Sequence, residues 1–211
     1  MTMMKEFPVV LLTATIWAYW IGVGVMVIRV RRQTRTLAGL VPDQPLERLM
    51  WLIWVPLIAA WLALPYLAMT RAQPPFAVPD FAWQQPVYSV LRVAASVCAT
   101  LCLLLTSHCW ARMGKNWRMG VSETQKTELI TDGVFAYVRH PIYALSMLLM
   151  ICSVIVVPTL PMLVVAVIHI VLMNVKAHNE ERHLSKVHGE QYQRYLQRTS
   201  RFFPGSLLRR R

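Results

Sequence analysis

Four stretches of this chain run without a formal charge, and each is long enough to fix the solvent around it. Residues 7–28 and 49–70 span 22 positions each, 93–111 spans 19 and 140–175 spans 36. About 20 apolar residues in a helix, at 1.5 Å rise each, cross the roughly 30 Å hydrocarbon layer of a bilayer. In lipid the backbone must satisfy its own polar groups, so such runs are helical. The fourth run is interrupted by Pro158-Thr159-Leu160-Pro161, and prolines spaced this way end one helix and start the next. It reads as a hairpin, 142–157 down and 162–175 back. Both arms are short for a crossing, so either the hairpin is shallow or its second arm continues past Lys176 into water. The predicted architecture is an all-α integral membrane protein with five transmembrane helices, the last two a short hairpin. Residues 1–111 would form three membrane helices. Residues 112–211 would form a core in which a cytoplasmic loop and a C-terminal helix build a pocket.

Composition agrees: 56% of the 211 residues are hydrophobic and 15% charged, against about 25% charged in soluble domains. The net charge of +12 raises the possibility of nucleic acid, but the placement of the basic residues answers it. Nineteen of the 22 Lys and Arg fall in three segments: 29–48, 112–139 and 176–211. Only Lys5, Arg71 and Arg92 fall on the other side. Under the positive-inside rule this predicts a multi-pass protein with its C-terminus in the cytoplasm, in the inner membrane if the source is bacterial. No nucleic-acid partner is needed. The first apolar run is too long, and its flanks too poor in small residues, for a cleaved leader. The four cysteines lie in or near spans without zinc spacing and read as apolar filler. Trp17, Trp20, Trp51, Trp54 and Trp61 read either as interfacial anchors or as the wall of an aromatic pocket.

Three polar clusters carry the candidate chemistry. In the first, residues 128–143, Pro141 occupies the first helical position of the hairpin and biases His140 away from the helical region. Arg139 and His140 then stand at a helix N-terminus, which favours an anion. Gly133 permits the turn that brings Leu129 and Ile130 alongside. The second cluster is Lys176-Ala177-His178-Asn179-Glu180-Glu181. If the helix continues, Lys176 and Glu180 are i, i+4 neighbours. They could hold a charged ligand or simply form an ion pair. A metal site from His178, Glu181 and His183 matches no compact ligand set, and none is predicted. In the third, Tyr192 and Tyr195 share a helix face and could close over a flat ring or anchor at the interface.

Taken together, these clusters resemble the isoprenylcysteine carboxyl methyltransferase family. Residues 133–143 are similar to its glycine-to-Arg-His-Pro-x-Tyr signature. Glu180-Glu181-x-x-Leu184, then Gly189, Tyr192, Tyr195 and Pro204, look like its C-terminal block, and Met113-Gly114-Lys115-Asn116-Trp117 resembles its upstream entry to the site. The likeness covers about residues 112–204. It implies S-adenosylmethionine as methyl donor and a membrane lipid or lipidated molecule as acceptor. It assigns cofactor binding to Thr127, Glu128, Leu129, Ile130, Phe135, His140, Pro141, Ile142, Tyr143 and Glu180. Lys176 stands where the family's acceptor-orienting arginine sits, and Arg139 helps shape the pocket; these two are the candidate catalytic residues. Lys176 offers a point charge in place of a bidentate fork. Thr127, Val134, Phe135 and His188 also depart from residues frequent in the family. Other acceptors for the same site are a phospholipid amine or a small thiol. Outside enzymes, the alternatives are a small membrane transporter or a scaffold. A transporter calls for ionisable groups deep in the spans, where only His108 and His169 could lie.

Overall fold

The computed structural model describes residues 2–35, 44–71, 73–120 and 128–205. Among them there are six helices: α1 (Thr2–Thr34), α2 (Pro45–Thr70), the four-residue α3 (Phe81–Gln84), α4 (Pro86–Met113), α5 (Pro141–Val156) and α6 (Leu160–Arg198). There is no strand among the described residues, only one parallel bridge between Val138 and Ser200. Four helices are long and apolar enough to cross a membrane: α1, α2, α4 and α6. Their outer faces carry exposed Trp17, Ile21, Leu52, Leu104 and Val167, the pattern expected where lipid is the solvent.

Five spans were expected and four helices reach the length for a crossing, while of the two alternatives for the hairpin the one whose second arm continues past Lys176 holds. The first arm, α5, has only 16 residues, or about 24 Å of helix, less than a typical hydrocarbon layer. The second arm is not short. α6 runs for 39 residues, straight through the change from apolar to charged sequence at Lys176. The appearance of charge marks a change of solvent and not a helix end. α6 leaves helical geometry only at Gly189, whose φ of +50° suits a residue without a Cβ.

A short helix leaves its last carbonyls deep among its neighbours, where each needs a donor. Two side chains of α4 supply them. Arg92, 1% exposed, donates from Nε to the Val156 carbonyl at 2.9 Å, and the Tyr88 hydroxyl donates to the Ile155 carbonyl at 3.1 Å. The Arg92 guanidinium also lies 3.9 Å from the centre of the Trp83 ring, and its charge suits a helix C-terminus. Arg92 is therefore a cap and not a loop charge. The Thr159 hydroxyl then accepts from the Met162 amide, starting α6.

The interior is held by a few polar contacts set among packed side chains. The Trp61 indole donates to Ser153 at 3.0 Å, and Ser146 and His169 are hydrogen-bonded at 2.9 Å. His169 is thus a bonded core residue, while His108 is exposed. All four cysteines are free. α1 and α4 approach closely at Gly22, where a Cβ would stand 2.7 Å from the Trp110 ring.

Replacing Arg92 with Met keeps the volume and removes the cap. The open α5 carbonyl then costs about 1–3 kcal/mol, and a lower thermal midpoint in detergent should follow; an unchanged midpoint would show that the carbonyl finds another donor.

Candidate functional site

The C-terminal ends of α1 and α4, the N-terminal ends of α2 and α5, and the polar half of α6 all meet at one end of the bundle. The contact between α2 and α6 there is explicit. Asn179 donates to Gln44 at 2.7 Å and to Glu47 at 3.3 Å, and the Lys176 ammonium lies 3.9 Å from Glu47. Lys176 is 5% and Glu47 1% exposed. The i, i+4 pair expected between Lys176 and Glu180 is not formed. Lys176 turns to Glu47 of α2, and Glu180 turns to α5.

The approach to α5 is built as its residues dictate. Gly133, with φ +59°, opens a tight turn over Gly133–Ala136, and Asp132 before it pairs with Arg112 at the end of α4. Pro141 is the first residue of α5, and His140 before it is held at φ −121°, ψ 62°, outside the helical region. The His140 ring stacks on Tyr143, with centroids 5.3 Å apart and planes 4° from parallel. The anion anticipated at this helix start is supplied by the chain itself. Tyr143 donates to Glu180 at 2.8 Å, His140 Nδ1 lies 3.6 Å from Glu180, and His140 Nε2 lies 3.3 Å from Glu181. The Nε2 approach to Glu181 is off-angle, which leaves that buried nitrogen without a hydrogen bond among the described residues.

Glu181 is the hub. Arg139 Nε and Arg201 Nε each donate to it at 3.0 Å, and Arg201 makes a second bond through its terminal nitrogen. Arg139 also donates to the carbonyls of Leu196 and Thr199. The backbone amides of Arg139 and His140 donate to the carbonyls of Ser200 and Arg201. One carboxylate thereby joins the polar half of α6, the entry to α5 and the chain after α6. It lies beyond the apolar part of α6. Burial opposes its charge, but the His140 ring close by and the hydrogen bonds from Arg201 and Arg139 outweigh this and hold its carboxyl well below the usual carboxylate range. Glu181 is thus spent on the clamp with Arg139 and Arg201.

Between these elements lies a cavity enclosing about 890 Å³ of free space, its open mouth included. Of the residues singled out from the sequence, Glu128, Leu129, Ile130, Phe135, Arg139, His140, Tyr143, Lys176 and Glu180 line it. Pro141 and Ile142 line an adjoining cleft with Phe135, His140 and Tyr143. Thr127 lies outside the described residues. Tyr192 and Tyr195 face the cavity together, with ring centroids 5.9 Å apart. Tyr195 donates to the Phe135 carbonyl at 2.6 Å, whereas the buried Tyr192 hydroxyl has no partner among the described residues. Arg118 and Met119 also line the cavity and were not singled out, and His183, weighed from the sequence only for a metal set, lines it too. Arg118 directly follows the Met113–Trp117 block, but in sequence it is one more basic residue of a basic loop.

The Glu181 clamp has a pH signature. A depressed folded pKa stabilises above the ordinary carboxyl value of 4.5 and loses that stabilisation as pH falls toward the folded pKa. Glu181→Gln should lower the thermal midpoint at neutral pH, and the gap from wild type should narrow as the buffer is taken from about pH 6 to about pH 3. A gap independent of pH would show that the carboxylate charge is not what holds the clamp.

Residues 90–191 match the family model described as phospholipid methyltransferase. The matched stretch begins in α4 and ends in α6. It contains α5, the cavity turn, Lys176, Glu180 and Glu181, but not α1, α2 or the segment that Arg201 ties down. No curated protein matches the chain. Over residues 90–191 the chain is thus similar to the phospholipid methyltransferase family, part of the group of membrane methyltransferases that also includes the isoprenylcysteine carboxyl methyltransferases.

Proposed function

We propose that the protein transfers a methyl group from S-adenosylmethionine to a lipidic or membrane-partitioned acceptor, at the cytoplasmic end of the bundle. The observation that carries this reading is the convergence of Glu180, His140, Tyr143 and Tyr192 on one cavity at the level where the apolar half of α6 gives way to charge. The donor fits that cavity in chemical kind. The buried Tyr192 hydroxyl has no partner among the described residues, Glu180 offers a carboxylate to a cationic ligand, and Phe135 with Tyr195 gives an apolar face to a flat ring. When bound, S-adenosylmethionine supplies a methyl group already activated on a sulfonium, so the protein need only orient the partners and exclude water.

Glu180 binds the donor, held in place by Tyr143 and His140. The second carboxylate, Glu181, is a positioning group: with Arg139 it fixes the wall against which the donor rests. Lys176 lies at the boundary toward the bilayer and steers an anionic acceptor. Its buried ammonium is offset by Glu47 and remains close to the site. A carboxylate acceptor, as in the methylation of an isoprenylcysteine, loses no proton on transfer and asks for no general base.

Glu180→Ala should weaken S-adenosylmethionine binding by about 10-fold or more in equilibrium binding, the loss expected when a charged hydrogen-bonding partner goes; undiminished affinity would remove Glu180 from the donor site. Lys176→Arg should leave donor affinity close to wild type and change the order of preference in a panel of prenylated cysteines, amines and thiols. An identical profile would refute the steering role.

A further inference from the structure

A second chamber abuts the first and lies deeper along the helices. The two share Arg118, Met119, Tyr143 and Lys176 as lining. The far wall of the deeper one is aromatic and comes largely from outside the family match: Tyr19 and Trp20 of α1, Trp54 of α2, and Trp110 of α4. These rings brace one another. Trp20 and Trp54 meet edge to face at 6.2 Å, and Tyr19 packs on Trp110 at 5.4 Å. Trp110 is further pinned against Gly22.

The polar inventory of this chamber is one-sided. The indole N–H groups of Trp20, Trp54 and Trp110, and Nε of Arg118, are buried and have no hydrogen-bond partner among the described residues. Trp110 is 4% exposed. An indole N–H can only donate, and so can a guanidinium. The hydroxyls nearby are committed, Tyr143 to Glu180, Ser146 to His169 and Tyr19 to Ser146. Buried donors left unmade are costly one at a time, and four around one chamber are what an oxygen-rich guest would satisfy. Charge points the same way. The Lys176 ammonium lies 5.5 Å from the centre of the Trp54 ring, and Arg118 adds a second positive group. The Trp54 face, which could hold a cationic guest, is therefore already served by the protein's own Lys176.

We infer that this chamber is a binding site for the oxyanion end, carboxylate or phosphate, of an amphiphilic molecule, with the indole N–H groups of Trp20, Trp54 and Trp110 and the Arg118 guanidinium as its donors. That this molecule is the methyl acceptor rests on the reading above; the binding itself does not. Trp20 of α1 and Trp54 of α2 then contribute to acceptor specificity together with Trp110 and Arg118 of the family-matched segment, which also binds the donor.

The test uses the full chain in dodecyl maltoside, which carries no oxyanion, titrated by calorimetry with four eight-carbon probes: octanoate, octyl phosphate, octylammonium and octanol. Saturable binding of octanoate or octyl phosphate is expected, with octylammonium and octanol much weaker. The tighter of the two anions distinguishes a carboxylic from a phosphate guest. Trp20→Phe, Trp54→Phe and Trp110→Phe keep a ring and remove the N–H, and each should weaken the preferred anion about 10-fold. Octylammonium binding as well as the anions, or anion binding untouched by all three substitutions, would overturn the inference. The four-probe comparison on the wild type decides the question even if a variant fails to fold. S-adenosylmethionine binding measured on the same samples separates the two readings. Anion binding without donor binding removes methyl transfer and keeps the chamber, and the converse removes the chamber alone.

Discussion

The arrangement at the polar end of this protein depends on one carboxylate. Glu181 receives Arg139 from the entry to α5 and Arg201 from beyond α6, with His140 close by. Among the described residues none of these segments is bound to the others by a sheet, and the one bridge, Val138 to Ser200, lies inside the same clamp. Glu181 is half of an adjacent acidic pair, and the two halves divide the work. Successive residues on a helix point about 100° apart, so Glu181 can face the clamp while Glu180 faces Tyr143 and the cavity. Removing one partner of such a buried network leaves the others charged and unpaired, which costs more than any single bond in it contributes.

The second constraint is the shortness of α5. A helix of 16 residues cannot carry its carbonyls out of the interior, and Arg92 and Tyr88 answer that from α4. The same shortness sets Pro141 level with the point where α6 changes from apolar to charged, which is how Tyr143 comes to meet Glu180. α4, α5 and α6 thus form one interdependent unit, and the family match over 90–191 covers nearly that unit. α1 and α2 pack around it and bring Trp20 and Trp54 to the deeper chamber.

Much of this was legible in the sequence because lipid imposes a strict pattern. Charge-free runs located the helices, Pro141 located the start of α5, and Gly133 located the turn before it. Most residues named from the motif blocks do line the cavity. What was not legible depends on distance along the chain. Nothing near Lys176 announces that its acid partner is Glu47, because local spacing offers Glu180 first. Arg92 looks like a loop charge until α5 is seen to end beside it. The sequence left two lengths open for α6, a shallow arm or one continuing past Lys176, because charge at Lys176 marks a change of solvent and a helix passes from lipid to water without breaking. The tryptophans allowed two readings, and the structure divides them: Trp17 faces outward, Trp61 bonds within the core, and Trp20 and Trp54 wall a chamber.

Lys176 and Glu180 stand one turn apart on a single unbroken stretch of α6, the first lining both cavities and the second facing the upper one. Their separation along the axis is therefore about 6 Å, and no loop can lengthen or shorten it. α6 works as a ruler. Whatever occupies the two chambers is spaced by backbone geometry, and a change of guest has to be met by the walls that α1 and α2 supply, because the α6 side of the gauge is fixed.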